Sequence, residues 1–299
     1  MTAMTFAATA HNHASTDNAF NPDTQRIKSH LFFLADDLLE GRDTGSRGHE
    51  IAALYIATEF AKYGLKPAGT DGYMQNVTFR KANLVQESPK FTFTQNGETV
   101  EFDYPKEYLA SPSLLSTEAN VKGEMVFVGY GIVADELSHN DYKDLDVKGK
   151  VVVALAGKPS DFPSEEGAHF ASGYQKQKYA VDNGAIGMIT ITTPKNEKVR
   201  PYQSRLNYIH TPRMAWLDDS GQPANSFSQL KGGAYMSEGA ARKLFEGAEK
   251  SLDDVYAQLE ADKVPQGFAL NGVVDISKTS VHDTITSPNV VGVLEGSDP

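Results

Sequence analysis

Leu34-Ala-Asp-Asp-Leu-Leu-Glu-Gly-Arg42-Asp-Thr-Gly-Ser-Arg-Gly48 joins two segments with helical periodicity. Upstream, Asn21 can cap a helix and Pro22 suits its first position. Ile27, Leu31, Leu34 and Leu38 then fall on one stripe, and Gly41 ends it. Downstream, the run from Ile51 to Tyr63 predicts a second helix whose apolar face carries Ile51, Leu54, Tyr55, Thr58 and Ala61. Gly64 sits where a left-handed cap belongs, Leu65 can fold back on it, and Pro67 stops the helix from resuming. Both helices are amphipathic, so each needs a partner surface.

From about Val77 the apolar period changes from helical to two. Phe91-Thr-Phe-Thr and Thr99-Val-Glu-Phe, separated by Asn96-Gly97, predict a hairpin. Glu124 to Val133 reads as a strand with a glycine break, Val147 to Leu155 as a turn and a buried strand, Lys176 to Asn183 as a helix, and Gly184 to Ile191 as another buried strand. Pro201 to Ser228 reads as a surface excursion. Ser237 to Phe245 and Leu252 to Leu259 read as helices, Phe268-Ala-Leu and Val273-Val-Asp-Ile as strands. No internal repeat or low-complexity tract is present.

The 299 residues are 40% hydrophobic and 22% charged, a globular composition with length for two domains. A net charge of −11 with no basic cluster argues against nucleic acid and anionic membranes as partners. Cysteine is absent, which removes disulfides, thiolate nucleophiles and thiolate–zinc sites together. No stretch approaches the ~18 apolar residues of a membrane span. Met1 to Ala10 is small and apolar and ends in Ala8-Thr9-Ala10, the form of a signal cleavage site, but it has no positive n-region. Residues 1–20 therefore read as a partial export signal or a disordered leader.

Leu34, Ala35, Asp37, Leu38, Glu40, Gly41, Arg42, Gly45, Ser46 and Gly48 resemble the opening segment of the co-catalytic zinc exopeptidases. That family includes bacterial aminopeptidases, glutamate carboxypeptidase II and the transferrin receptor. A second resemblance runs through Gly129-Tyr-Gly131, Asp141-Tyr142, Asp146-Val-Lys-Gly-Lys-Val-Val152, Lys178-Tyr-Ala and Asn183-Gly-Ala-Ile-Gly187, and is to the protease-associated domain. In the family this domain is inserted after the first helices of the catalytic domain, and Thr286-Ser-Pro-Asn-Val-Val-Gly-Val-Leu-Glu-Gly296 resembles the strand that returns from it. The resemblance implies an α/β protein: N-terminal helices at 21–83, an inserted β-rich α+β domain at 84–275, and one returning strand of the peptidase domain at 276–299.

The family's zinc ligands are a His-x-Asp after a buried strand, a Glu-Glu pair giving base and ligand, a further Asp and a late His. The sequence ends before the first of them should follow Asn289-Val-Val-Gly, so no residue here is assigned a catalytic, cofactor-binding or metal role. His139-Asn140-Asp141 has the His-x-Asp form but follows polar Asp135 to Ser138, not a strand. His49-Glu50 begins a His-Glu-x-x-His motif that fails at Ala53. Glu165-Glu166 lies between Pro163 and Gly167 and reads as a loop near His169; His282-Asp283 lacks the spacer and reads as a linker. Gly129-Tyr-Gly131-Ile-Val-Ala134 fits a loose dinucleotide fingerprint, but acidic Asp135 to Asp141 follows in place of a helix. Arg42 either ends a helix, with Arg42 or Arg47 salt-bridged to neighbouring carboxylates, or orders the zinc cleft that the resemblance implies.

The expectation is the N-terminal part of an exported, periplasmic or extracellular, zinc-dependent aminopeptidase. The resemblance implies that the parent holds two zinc ions and removes N-terminal residues from a peptide substrate, the inserted domain shaping access. This chain alone is expected to bind no zinc, to be inactive, and to need the remainder of the catalytic domain as partner. A different class of reading is a non-catalytic, receptor-like interaction module of the same family. Side-chain preference is not legible.

Overall fold

A computed structural model describes residues 22–297, so the expected leader at 1–20 lies outside the described residues. In chain order the helices are α1 (Thr24–Leu34), α2 (Arg47–Lys62), α3 (Ser164–Phe170), α4 (Gly173–Asp182), α5 (Pro194–Val199), α6 (Tyr202–Arg205), α7 (Glu238–Leu244) and α8 (Leu252–Glu260). The strands are β1 (Lys66–Pro67), β2 (Met74–Leu84), β3 (Lys90–Gln95), β4 (Glu98–Glu101), β5 (Tyr108–Leu109), β6 (Glu118–Phe127) and β7 (Val133–Ala134). They continue with β8 (His139–Asn140), β9 (Val151–Leu155), β10 (Gly187–Ile191), β11 (Arg213–Trp216), β12 (Gly232–Met236), β13 (Phe268–Val290) and β14 (Gly292–Val293). The protein is mixed α/β and divides into two units. The first is the chain up to Gln75 together with the chain from Pro288 onward; the second is Asn76–Ser287.

In the first unit the expected long helix is split. Asp23 caps α1, accepting from the Gln25 and Arg26 amides, and α1 stops at Leu34; the expected cap Asn21 lies outside the described residues. Asp36 then accepts from the Leu38 amide and starts a separate 3₁₀ turn, Asp37–Arg42, with Glu40 and Gly41 at positive φ. An Asp that bonds the backbone two residues on competes with helix continuation. The expected stripe is therefore not buried: Leu31 is 61% and Leu38 87% exposed.

Ser46 caps α2 by accepting from the His49 amide, so this helix begins before Ile51. Its buried face is Gly48, Ala52, Ala53 and Ala57, about half a turn from the expected one, and Leu54 stays 60% exposed. The cause is close approach: a Cβ on Gly48 would stand 1.7 Å from the Leu39 carbonyl oxygen. Small residues win that face because the 3₁₀ turn packs directly on it. Gly64 does close α2 with φ +77°, and the Leu65 amide donates to Phe60 O at 3.0 Å. The returning segment pairs antiparallel with β1, Lys66 opposite Val293 and Pro67 opposite Gly292.

The second unit is built on a mixed sheet in the order β11-β2-β13-β6-β9-β10-β12-β5, with the β3–β4 hairpin on β13. Strands β6, β9, β10 and β12 are mutually parallel; β11 on β2, β5 on β12, β3 and β6 on β13, and β4 on β3 are antiparallel. Val151-Val-Val-Ala-Leu155 is buried at every position, as a strand covered on both faces must be. Helix α4 makes the crossover from β9 to β10 that parallel pairing needs. The core gathers Phe91, Tyr108, Met125, Phe127, Leu155, Ile189, Met236 and Ile276, each worth about 1.5–3 kcal/mol on burial. No helix of the described residues is long and apolar enough to cross a membrane.

Several sequence expectations change here. Glu124–Val133 is not one strand: β6 ends at Phe127, and Gly129 and Gly131, at φ +56° and +68°, turn the chain. The excursion Pro201–Ser228 contains β11, which pairs with β2 as an edge strand, Phe79 opposite Trp216. A strand of four residues is too short to show a period. Phe268–Leu270 and Val273–Ile276 are one strand with a bulge between Leu270 and Val273, where Gly272 adopts φ +110°. That strand continues through His282, which is thus not in a linker. Glu165 and Glu166 occupy the first turn of α3, not a loop, where carboxylates are favoured by the helix dipole. The expected domain limits, 84 and 275, fall at the end of β2 and inside β13; the units divide instead at 75/76 and 287/288.

Candidate functional site

In a parallel sheet, ligand crevices form beyond the carboxyl ends of the strands. In the second unit a cavity of about 260 Å³ lies there. Ala156 and Gly157 follow β9 into it, and Thr193 to Asn196 follow β10. Tyr130, from the glycine turn after β6, and Asp262 to Val264, after α8, complete its wall.

A buried polar group adjoins this cavity. Lys176, on α4, is 4% exposed, and its ammonium donates to Leu155 O at 2.8 Å and Gly157 O at 2.7 Å. It stands 5.6 Å from the centre of the Tyr130 ring. Burial pulls its pKa down to about 7 against the opposing pull of Asp141. Burial, then Asp141 and Asp161, push the Tyr130 phenol up to about 12. Asp141 Oδ2 accepts from the Ile132 amide at 3.0 Å. Its Oδ1 lies 3.0 Å from His139 Nε2, off the line of a hydrogen bond. The His139 ring stands edge-on to Phe162, centroids 5.1 Å apart.

A lysine poised near neutrality can act as a base or nucleophile. Lys176 does not line the cavity, and both of its bonds end on main-chain carbonyls at the end of β9. Its role is to fasten α4 to the sheet and hold the Gly157 turn open. Asp141 does the same for the Gly129–Gly131 turn: a Cβ on Gly129 would stand 2.9 Å from Asp141 Oδ1. The sequence did not single out Lys176 in this role. Its signal was phase: it sits four residues before Ala180, the other buried position of α4.

The candidate ligand motifs end in separate places. His139 and Asp141 converge, but no third donor joins them: among the described residues no group of three His, Cys, Asp or Glu can hold a metal ion. The residues present therefore do not fit a zinc ion. His49 and Glu50 lie in the first turn of α2. His169 pairs with Gln175, 3.1 Å between side-chain nitrogens. His282 Nε2 donates to Ser113 O at 2.7 Å while Arg80 stands 3.4 Å from its Nδ1. The dinucleotide fingerprint ends in β7 and is followed by a 3₁₀ turn, Asp135–Leu137, so no long helix presents its N-terminus there. Arg42 is exposed and at φ +58°, and neither it nor Arg47 makes an ion pair among the described residues. The expected salt bridge of that loop is replaced by caps: Asp36 on Leu38, Asp43 on Thr44 and Ser46 on His49.

No family model matches the chain, and no curated protein does. Among solved structures it is similar to a zinc aminopeptidase from Bacillus subtilis, with 15% identity over 88% of this chain and a TM-score of 0.32. It is also similar to the psychrophilic subtilisin-like protease Apa1 from the Antarctic psychrotroph Pseudoalteromonas sp. AS-11, with 10% identity over 69% of this chain and a TM-score of 0.29. The chain spans 46% of the first and 36% of the second. Likenesses of this degree carry no assignment of activity.

Proposed function

We propose that the chain is the N-terminal part of an exported zinc-dependent aminopeptidase-like metallopeptidase, its second unit a protease-associated domain that shapes access to a cleft in the parent protein. One observation carries this reading: the chain leaves the first unit at Gln75, forms a separate unit, and returns at Pro288 to pair with β1. That is the topology of an insertion, in the order the two sequence resemblances require. The apolar surface of the first unit also supports it. Helix α1 buries none of its residues, and Phe32, Leu38, Leu54 and Leu294 are 76%, 87%, 60% and 78% exposed. An α/β unit covers such surface with further strands and helices. In this reading the rest of the catalytic domain supplies that cover, the zinc ligands and the base.

The activity follows from the missing donors. A hydrolytic zinc site needs about three protein ligands and an open water position. Among the described residues no group of three His, Cys, Asp or Glu could hold a metal ion. The chain alone is thus a scaffold, and a longer form carrying the His-x-Asp and Glu-Glu motifs hydrolyses aminoacyl substrates. The test is an aminoacyl-nitroanilide assay on both forms, with bound zinc measured in each. Chelator-sensitive turnover in the longer form alone is the expected result. A longer form that binds no zinc and turns nothing over refutes the enzyme reading in favour of a receptor-like module.

A further inference from the structure

Another cavity of the second unit, about 250 Å³, shares no lining residue with the one at the strand ends. Its wall includes Arg213 from β11, Lys231 just before β12 and Lys278 from β13, with Ser113, Gln177 and Tyr235 among its polar groups. No Asp or Glu lines it, in a chain whose net charge is −11. Lys231 is satisfied by Ser228 O at 2.8 Å. The side chains of Arg213 and Lys278 make no ion pair or hydrogen bond among the described residues. The Tyr235 hydroxyl is buried and has no hydrogen-bond partner there either.

The neighbouring cations show what this fold does elsewhere. On the same strand, Asp275 pairs with Lys122 of β6 at 3.3 Å. Glu118, the carboxylate nearest in register to Lys278, accepts from Thr279 Oγ1 at 3.0 Å, and a residue adjacent on a strand points to the other face. Lys278 and Arg213 line the same cavity. Burial, then repulsion from Arg213, lowers its pKa to about 8. Arg213 is exposed as a residue, yet enough protein surrounds its guanidinium for burial to lower its pKa as well. Two like charges crowded by protein without a counter-ion destabilise a fold. An anion in the cavity would offset both.

We propose that this cavity binds a small oxyanion, a carboxylate or a phosphate, held between Lys278 and Arg213. Charge-assisted bonds from both cations supply the affinity, Arg213 presenting a fork to two oxygens. The site is independent of the peptidase reading, since it uses no residue of the first unit and needs no metal.

The experiment is calorimetric titration of the full chain with acetate and with inorganic phosphate, at constant ionic strength set by chloride. Saturable binding is expected in the millimolar range or tighter. Lys278→Met and Arg213→Gln should each weaken it about tenfold, while Lys122→Met, at the paired cation, leaves it unchanged. Tighter binding of phosphate assigns a phosphate ligand, and tighter binding of acetate a carboxylate. Should Lys278→Met fail to fold by circular dichroism, Arg213→Gln, on an edge strand, carries the comparison. No saturable binding of either anion by the unaltered chain overturns the proposal, as does unchanged binding in both variants.

Discussion

Replacing Lys176 with Met tests how a buried ammonium is tolerated in this fold. The folded pKa is about 7 and the ordinary value 10.5. Below pH ~7 both folded and unfolded chains hold the proton, so the difference in stability between the parent and Lys176→Met is constant. Between pH ~7 and ~10.5 the unfolded chain holds the proton and the folded chain does not. The parent's stability relative to the variant then rises by about 1.36 kcal/mol per pH unit, about 4 kcal/mol by pH 10. A neutral amine still has two hydrogens, and Leu155 O and Gly157 O accept two. Met leaves both carbonyls unmet, a cost of about 1–3 kcal/mol each, but removes a desolvated charge. The variant should therefore be near the parent in stability at pH 6 and clearly less stable at pH 10. Urea unfolding of the two chains across this range measures the difference, in which other titrating groups cancel; Tyr130, held up to about 12, stays neutral throughout. A difference that stays flat from pH 7 to 10 would refute the reasoning, because the ammonium would then be stabilised by its carbonyls as fully as by water.

Gly48→Ala should destabilise the first unit by at least the 1–3 kcal/mol of an overpacked site, because its Cβ would overlap the Leu39 carbonyl at 1.7 Å; thermal unfolding followed by circular dichroism measures it. The apolar surface of α1 and of the Asp37–Arg42 turn should bind a hydrophobic dye or drive self-association. Phe32→Lys with Leu38→Lys, at residues 76% and 87% exposed, should abolish either without loss of fold, as dye fluorescence and size-exclusion chromatography would show.

Periodicity and turn chemistry identified the β3–β4 hairpin, the strands β6, β9, β10 and part of β13, and the helices α4, α7 and α8 of the second unit. The Asn96-Gly97 hairpin formed with both residues at positive φ, because few other dipeptides adopt that turn. Val151–Leu155 and Ile189 were legible as buried because a parallel strand covered on both faces must be apolar throughout. Gly64 ended α2 because a glycine takes the left-handed conformation at no steric cost. Tertiary structure decided what these rules do not reach. The face α2 buries was set by the approach of the Asp37–Arg42 turn, which only Gly48 and alanines admit, and not by where the larger apolar residues lay. Whether β11 belonged to the sheet depended on β2, far away in sequence, because four residues carry no period of their own. Lys176, Arg213 and Lys278 read as ordinary surface cations in one dimension. The burial of Lys176 against two carbonyls, and the cavity that Arg213 and Lys278 share, arise from strands and helices that meet only when the chain has folded, and charge is felt through space, not along sequence.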